Sequence, residues 1–588
     1  MCKKYEIIAQ KIINVQFDKI LYIILSSEIN RLYPKGRKIN IMQNFISRFQ
    51  EIVKTCWATP AVSDYRSATL TYADMAHEIE KMHLVWREAG LVKGDKISLN
   101  ARSSANWAVV FMAATTGGYV ACQLFNGFTP VDTQKFVHHS DSKILFTEKA
   151  IFEGMDFETM PRVIAVFDMK SMELLASRGN FAEIYARREE LFAAAHPNGF
   201  NADAVEYELP GMDELCCLNY TSGSTGNPKG VMLSVKCISS NVESFLFHCP
   251  YRPGESFLSV LPFTHIFGLL ADMLSCVCAG MHLTVLGMPP APSILKDAMQ
   301  LVRPRVVMMV PLVLSKLAEF AIGEFVNSKT GKARLDDYKH NPEFCMALRT
   351  ILLSYMGGNC EVIITGGAAI PEYIEDLLIT KLQMPFVTGY GMTECGPLIS
   401  LGHLGQYKLK SCGEIIERME ARIDSSDPYN MVGEVLVRGD NLLLGYYKNP
   451  EAESEVFTKD GWFRTGDLGT IDCDGTLFLV GRCKSMLLSS NGQNVYPEEI
   501  EVKMNALPYI AESIVVQRGE KFVALIVPNA EQLASEGVNA ETYSVVMEKN
   551  IEALNKLIPA YSQISDFELR DEPFAKTPKG SIKRYLYK

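Results

Sequence analysis

At 588 residues the chain is too long for one hydrophobic core, so at least two domains are expected. Hydrophobic residues at 48% and charged residues at 21% are ordinary globular values and argue against a disordered chain. With 58 basic and 68 acidic residues the net charge is −10, which gives no support to nucleic acid as a partner.

Residues 1–41 are rich in Lys and Ile and differ in texture from the rest of the chain. They read as an N-terminal extension, with a flexible basic helix as the alternative; a more regular pattern starts at Met42. The apolar run 20–25 is too short for a membrane span or a signal-peptide core. No integral membrane segment is expected, although peripheral contact with a membrane stays compatible. Thr71, with Asp74 three residues on, opens a helix carrying Met75, Ile79, Met82 and Val85 on one face and stopped by Gly90. Residues 96–100 read as a strand, 107–115 as a buried helix and 119–125 as a strand. This alternation continues to about residue 400, so the fold class is α/β. From about Gly433 the texture changes to short β runs at 434–438, 445–447 and 476–480. A smaller unit comes next, with helices at 497–505 and 541–558 and strands at 512–517 and 521–527. A hinge is placed at Cys483–Lys484, dividing the chain into 1–41, 42–482 and 483–588. The fifteen cysteines have no regular spacing and no paired C-x-x-C knuckles, which suits reduced, buried thiols in a cytoplasmic protein.

The strongest motif is YTSGSTGNPKGV at 220–231, entered from the apolar run 215–218. Its glycines let the backbone approach an anion closely. Thr221, Ser222, Ser224 and Thr225 supply hydroxyls, Gly223 and Gly226 supply freedom, and Lys229 adds a positive charge. The combination suits nucleotide phosphates. The order of a Walker loop is absent.

This loop resembles the signature of the AMP-forming adenylating superfamily, which holds acyl-CoA synthetases, peptide-synthetase adenylation domains and firefly-type luciferases. Further motifs appear in that family's order: LPFTHIFG at 261–268, ITGGAAI at 364–370, YGMTE at 390–394, GWFRTGDLG at 461–469 and GRCKS at 481–485. The resemblance implies a large N-terminal α/β domain of several subdomains and a small, mobile α+β C-terminal domain. It implies ATP, Mg²⁺ and coenzyme A as cosubstrates or cofactor. Tyr390 would stack on adenine, Thr393 would bond the α-phosphate and Glu394 would hold Mg²⁺. Asp467 would accept from the ribose hydroxyls, and Arg482 would contact the ribose or phosphate. Gly367 and Ala368 would keep side chains clear of the base and acyl group. His265 is either a packed residue or, as the resemblance implies, part of the carboxylate and acyl pocket.

The family brings a lysine from a C-terminal T-x-x-G-K pattern. Here KTPKGSIKR at 576–584 has Ser581 in that place. If the segment is extended, Lys579 or Lys583 shares its face and could supply the charge; the alternative is crippled adenylation. No carrier-protein module follows Arg584, which favours a stand-alone ligase. The long segment 311–366, with its polar, turn-rich stretch 327–332, is most like long-chain fatty acid–CoA ligases. Phe263, Ile266, Leu269, Leu270 and Met273 fit either a fatty-tail pocket or ordinary core. The expected activity is ATP-dependent formation of an acyl-adenylate from a medium- to long-chain acid, then transfer to CoA. Loading of a carrier protein and non-catalytic binding are the alternatives.

Overall fold

The computed structural model describes residues 42–221, 229–489, 493–519, 521–538, 540–576 and 582–587. The extension 1–41, the loop residues Ser222, Gly223, Ser224, Thr225 and Gly226, and the tail residues Lys579 and Ser581 lie outside the described residues.

The chain folds as a mixed α/β structure with a large N-terminal part and a small C-terminal one. The largest sheet has eight strands, in the order Gly445–Tyr446, Lys229–Ser234, Leu215–Thr221, Val120–Gln123, Lys96–Asn100, Ser142–Thr147, Ala165–Asp168 and Leu174–Ser177. Its middle five strands are parallel, and its edges are antiparallel. Two helices show how local sequence builds this layer. Tyr72–Glu88 starts with the expected reciprocal box, the Thr71 side chain accepting from Asp74 N while Asp74 accepts from Thr71 N. Ala105–Thr116 is buried on all sides except at Asn106, as its unbroken apolar sequence requires.

A five-stranded sheet runs Val306–Met309, Val362–Thr365, Phe386–Gly391, Leu398–Leu401 and Glu414–Ile415, with the first three strands parallel. Beside it stands an antiparallel sheet of Met419–Asp424, Gly433–Gly439, Phe463–Ile471 and Leu477–Arg482. Residues 493–587 form a three-stranded sheet, Ile510–Arg518, Lys521–Pro528 and Ile564–Leu569, flanked by the helices Pro497–Met504 and Ala540–Asn555. This part has its own core, including Ile500, Met504, Val515, Ala524, Met547 and Leu554.

The stretch 327–332 departs from expectation: it is a helix junction rather than a free turn. Ser328 accepts from Gly331 N and caps the helix Lys329–Asp336. Serine and glycine there mark a helix start, a use that composition alone does not separate from a turn. The described cysteines are free thiols, most of them buried. Among the described residues no helix is long and apolar enough to cross a membrane.

Candidate active site

Four motifs follow or end parallel strands, namely Leu215–Thr221, Ser256–Ser259, Val362–Thr365 and Phe386–Gly391, where open α/β sheets bind ligands, while 461–469 and 481–485 lie on the antiparallel sheet. Leu215–Thr221 and Lys229–Ser234 pair antiparallel with Thr221 opposite Lys229, so the described strands bracket the phosphate-loop sequence. The Lys229 ammonium sits 4.8 Å above the Tyr446 ring. The Tyr446 hydroxyl donates to Glu394 Oε1 at 3.0 Å. Glu394 lies in the short helical turn Thr393–Cys395, just past the strand Phe386–Gly391.

That same strand carries Tyr390. Its hydroxyl donates to Asp467 Oδ2 at 2.6 Å, while Arg482 Nε donates to Asp467 Oδ1 at 3.2 Å. Asp467 and Arg482 are register partners on neighbouring strands, which explains their meeting. Burial pushes the Asp467 carboxyl above its ordinary value, although Arg482 and Tyr390 pull the other way. Burial, and then the Asp467 charge, hold the Tyr390 phenol well above its own. The adjacent strand Val362–Thr365 ends in the turn of Gly366, Gly367 and Ala368. A Cβ on Gly366 would lie 2.9 Å from Gly389 O, so the two strand ends can approach only with glycine there. Gly367 has φ +79°, in the left-handed region, and Ala368 is exposed.

On the third side lies the loop 261–268. His265 is half-buried with its ring 5.2 Å from that of Phe125, and its N–H donates to Pro262 O. Phe267 is half-buried and faces Gly366. Phe263, Ile266, Leu269, Leu270 and Met273 belong instead to the main core. Of their two sequence readings, core packing is the one found. Gln123 Nε2 donates to Phe263 O at 3.0 Å, and Asn219 Nδ2 donates to Gln123 Oε1 at 2.6 Å and to Thr264 O at 3.2 Å. These buried amides hang the loop on the strands beneath it.

The tail differs from expectation. Lys576 pairs antiparallel with Ile582, so the chain runs in opposite directions at these two points. Whether Lys579 shares a face with Lys583 falls outside the described residues. Lys583 is half-buried and its backbone N donates to Ala575 O at 2.8 Å. Among the described residues its ammonium makes no ion pair. Its neighbours are anchored: Lys576 Nζ is 2.6 Å from Glu512, and Arg584 pairs with Glu501. The Glu501 carboxyl is pushed up to about 7 by burial, against the pull of Arg584.

Thus Lys229 and Glu394 are linked through Tyr446, and Tyr390, Asp467 and Arg482 bond directly. The short run from Tyr390 to Glu394 joins the two groups, with Thr393 inside it. Lys583 is tied to neither group by any described contact. Sequence reasoning missed Tyr446, Gln123 and Asn219. Nothing in their local sequence indicates partners 45 to 140 positions away.

The family model for the AMP-binding enzyme matches residues 49–447, and that for the AMP-binding enzyme C-terminal domain matches residues 484–587. The chain belongs to the AMP-binding enzyme family. Among curated relatives, the long-chain-fatty-acid–CoA ligase FadD15 of Mycobacterium bovis is 26% identical over 481 residues, covering 78% of this chain and 77% of the relative. The 4-coumarate–CoA ligase 1 of Arabidopsis thaliana is 28% identical over 490 residues, covering 79% and 80%. Among solved structures, the anthranilate CoA ligase AuaEII in complex with anthranoyl-AMP matches with a TM-score of 0.74, covering 93% of this chain and 97% of that one. At 17% identity this last likeness is one of fold.

Proposed function

We propose that this protein is an AMP-forming acid–thiol ligase. A carboxylate oxygen attacks the α-phosphorus of ATP, pyrophosphate leaves, and the acyl-adenylate then yields its acyl group to the thiol of coenzyme A with release of AMP. The observation that carries the reading is the meeting of Tyr390, Asp467 and Arg482 beside Lys229, Tyr446 and Glu394.

In this reading Tyr390 stacks on adenine. Asp467 uses lone pairs left free by Tyr390 and Arg482 to accept from the ribose hydroxyls, since each carboxylate oxygen can take more than one donor. Thr393 and Lys229 bind phosphate oxygens with the loop 221–226. Gly367 and Ala368 keep the base and acyl path open, and His265 with Phe267 faces the acid. The donor set fits Mg²⁺. Among the described residues no group of three or more His, Cys, Asp or Glu side chains could form a protein cage for a metal. Glu394 offers a single carboxylate, and magnesium is commonly held by one or two carboxylates together with substrate phosphates and water. When bound there, the ion neutralises phosphate charge.

The substrate we favour is a medium- to long-chain fatty acid. The named fatty acid ligase among the relatives supports it, and the 4-coumarate ligase makes an aromatic acid the competing choice. We further assign residues 42–482 and 483–588 as the two moving units, with the hinge at Cys483–Lys484. Lys579 or Lys583 supplies the tail's positive charge in the first half-reaction.

ATP–pyrophosphate exchange with acids from acetate to stearate and with coumarate tests the reading. Exchange with fatty acids, followed by CoA-dependent release of AMP, is expected. Exchange without thioester formation from CoA points to a carrier protein as acceptor, and no exchange with any acid leaves a binding protein. Replacing Lys579 and Lys583 together should abolish adenylate formation while sparing thioesterification of supplied acyl-adenylate. Undiminished exchange in that variant overturns the lysine assignment.

A further inference from the structure

Tyr446 lies outside every motif the sequence singled out, yet it touches two of them. It is 5% exposed and sits on the two-residue edge strand Gly445–Tyr446, opposite Val231 in register. Its backbone is fixed on both sides. Leu444 N donates to Met232 O and Tyr447 N to Gly230 O, both at 2.8 Å. The same segment reaches the other motif, with Leu443 N donating to Glu394 O at 2.8 Å. Alternation along the strand then sends the two tyrosines apart. Tyr447 donates to Asp141, away from the site, and Tyr446 donates to Glu394 Oε1 with Lys229 over its ring.

Lys229 and Glu394 carry opposite charges and serve the same triphosphate in the function proposed above, on which this inference rests. Both reach the same tyrosine, and opposite charges free to turn toward each other pair and cancel. Among the described residues they make no ion pair with each other. The ammonium instead rests on an aromatic face, a contact that holds a cation without neutralising it. One glutamate oxygen is taken by a neutral hydroxyl, which orients the group, and among the described residues the other oxygen has no hydrogen-bond donor.

We propose that Tyr446 is a positioning residue that keeps Lys229 and Glu394 apart and aims each at a different part of the bound nucleotide, the lysine at phosphate and the carboxylate at its magnesium ion. The hydroxyl and the ring have separable duties. The hydroxyl governs the metal-facing carboxylate, and the ring governs the lysine.

The test is calorimetric titration of the full-length protein with ATP, in excess Mg²⁺ and in EDTA. Tyr446→Phe keeps the ring, so ATP affinity in EDTA should stay within about twofold of the unmodified protein. The gain in affinity that Mg²⁺ confers should fall about tenfold, the scale on which partners of metal ligands act. Tyr446→Leu should also weaken binding in EDTA about fivefold, because Lys229 loses its perch and turns to Glu394. Adding Glu394→Gln to Tyr446→Leu should restore binding in EDTA, a rescue that a merely structural role does not give. Equal losses in both media for Tyr446→Phe, or no rescue in the double variant, overturn the proposal. Should Tyr446→Leu fail to fold, the Tyr446→Phe split decides alone. Normal Mg²⁺-dependent ATP binding by a protein that activates no acid sinks the ligase reading but not this one. An unchanged Mg²⁺ gain in Tyr446→Phe sinks only this one.

Discussion

Two tyrosines in this cleft each donate a hydroxyl to a carboxylate, and the carboxylates are held differently. On the side we assign to the nucleoside, both oxygens of Asp467 are engaged, one by Tyr390 and one by Arg482. On the phosphate side, Tyr446 engages one oxygen of Glu394. Asp467, in the role proposed for it, accepts two hydroxyls and needs a fixed plane, and two anchors fix it. Glu394, in the role proposed for it, needs an oxygen open to a divalent cation, and among the described residues the single anchor leaves one. Asp272, on the π-helical turn Gly268–Leu274, is a third case with neither tyrosine nor cation. Ser259 and the Leu261 N–H bond its Oδ2, Oδ1 finds no hydrogen-bond partner among the described residues, and burial pushes the carboxyl up to about 8.

The largest break in this comparison is Asp467→Ala, which also leaves Tyr390 and Arg482 without their shared acceptor. ATP affinity measured by calorimetry should fall about a hundredfold, the worth of two hydrogen bonds to a charged group. Next comes Glu394→Gln. The Mg²⁺-dependent part of ATP binding should drop about tenfold or more, while binding in EDTA changes little. Tyr390→Phe sharpens the contrast, because Arg482 still holds Asp467. A loss of about fivefold in ATP affinity is expected. The Tyr390 hydrogen bond lowers the Asp467 pKa, so its removal lets the value rise. On acidification the variant should therefore lose ATP binding at a higher pH than the unmodified protein, in a pH series of the same titration.

Asp272→Asn comes last and acts on stability rather than on ATP binding. The native carboxyl titrates near 8 against an ordinary value of 3.8, so between these the native state holds a proton that the unfolded chain has released. The stability contributed by protonated Asp272 is complete below the lower value and is lost as pH rises to the upper one. Asparagine does not titrate. The Tm of Asp272→Asn minus that of the unmodified protein should grow from pH 4 to pH 8, by about 5 °C, and level off above.

Much of this was legible in the sequence, for identifiable reasons. The box at Thr71 and Asp74 acts within one turn, so local order reveals it. Lys229 lies in a loop whose residue types suit phosphates, and Tyr390, Asp467 and Arg482 lie in motifs that resemble those of the adenylating superfamily. The hydrogen-bond partners were not legible. Tyr446 reaches Glu394, and Gln123 reaches Phe263, only after strands distant in sequence have paired. The apolar run after His265 fits a ligand wall or a core equally, because hydrophobicity carries no direction, and packing decided for core. Ser328 reads as a turn residue because serine serves turns and helix starts alike, and only the backbone around it tells the two apart.

The strand Gly445–Tyr446 closes the outer edge of the sheet beside Lys229–Ser234. Those partners are separated by more than two hundred residues of sequence. During synthesis the hairpin that carries the phosphate loop therefore emerges long before the strand that covers it. Until then it presents an open row of amides and carbonyls, the kind of edge that recruits other chains. A ribosome-bound chain that stops short of Tyr446 has the complete signature sequence yet leaves the strand Lys229–Ser234 without its outer partner.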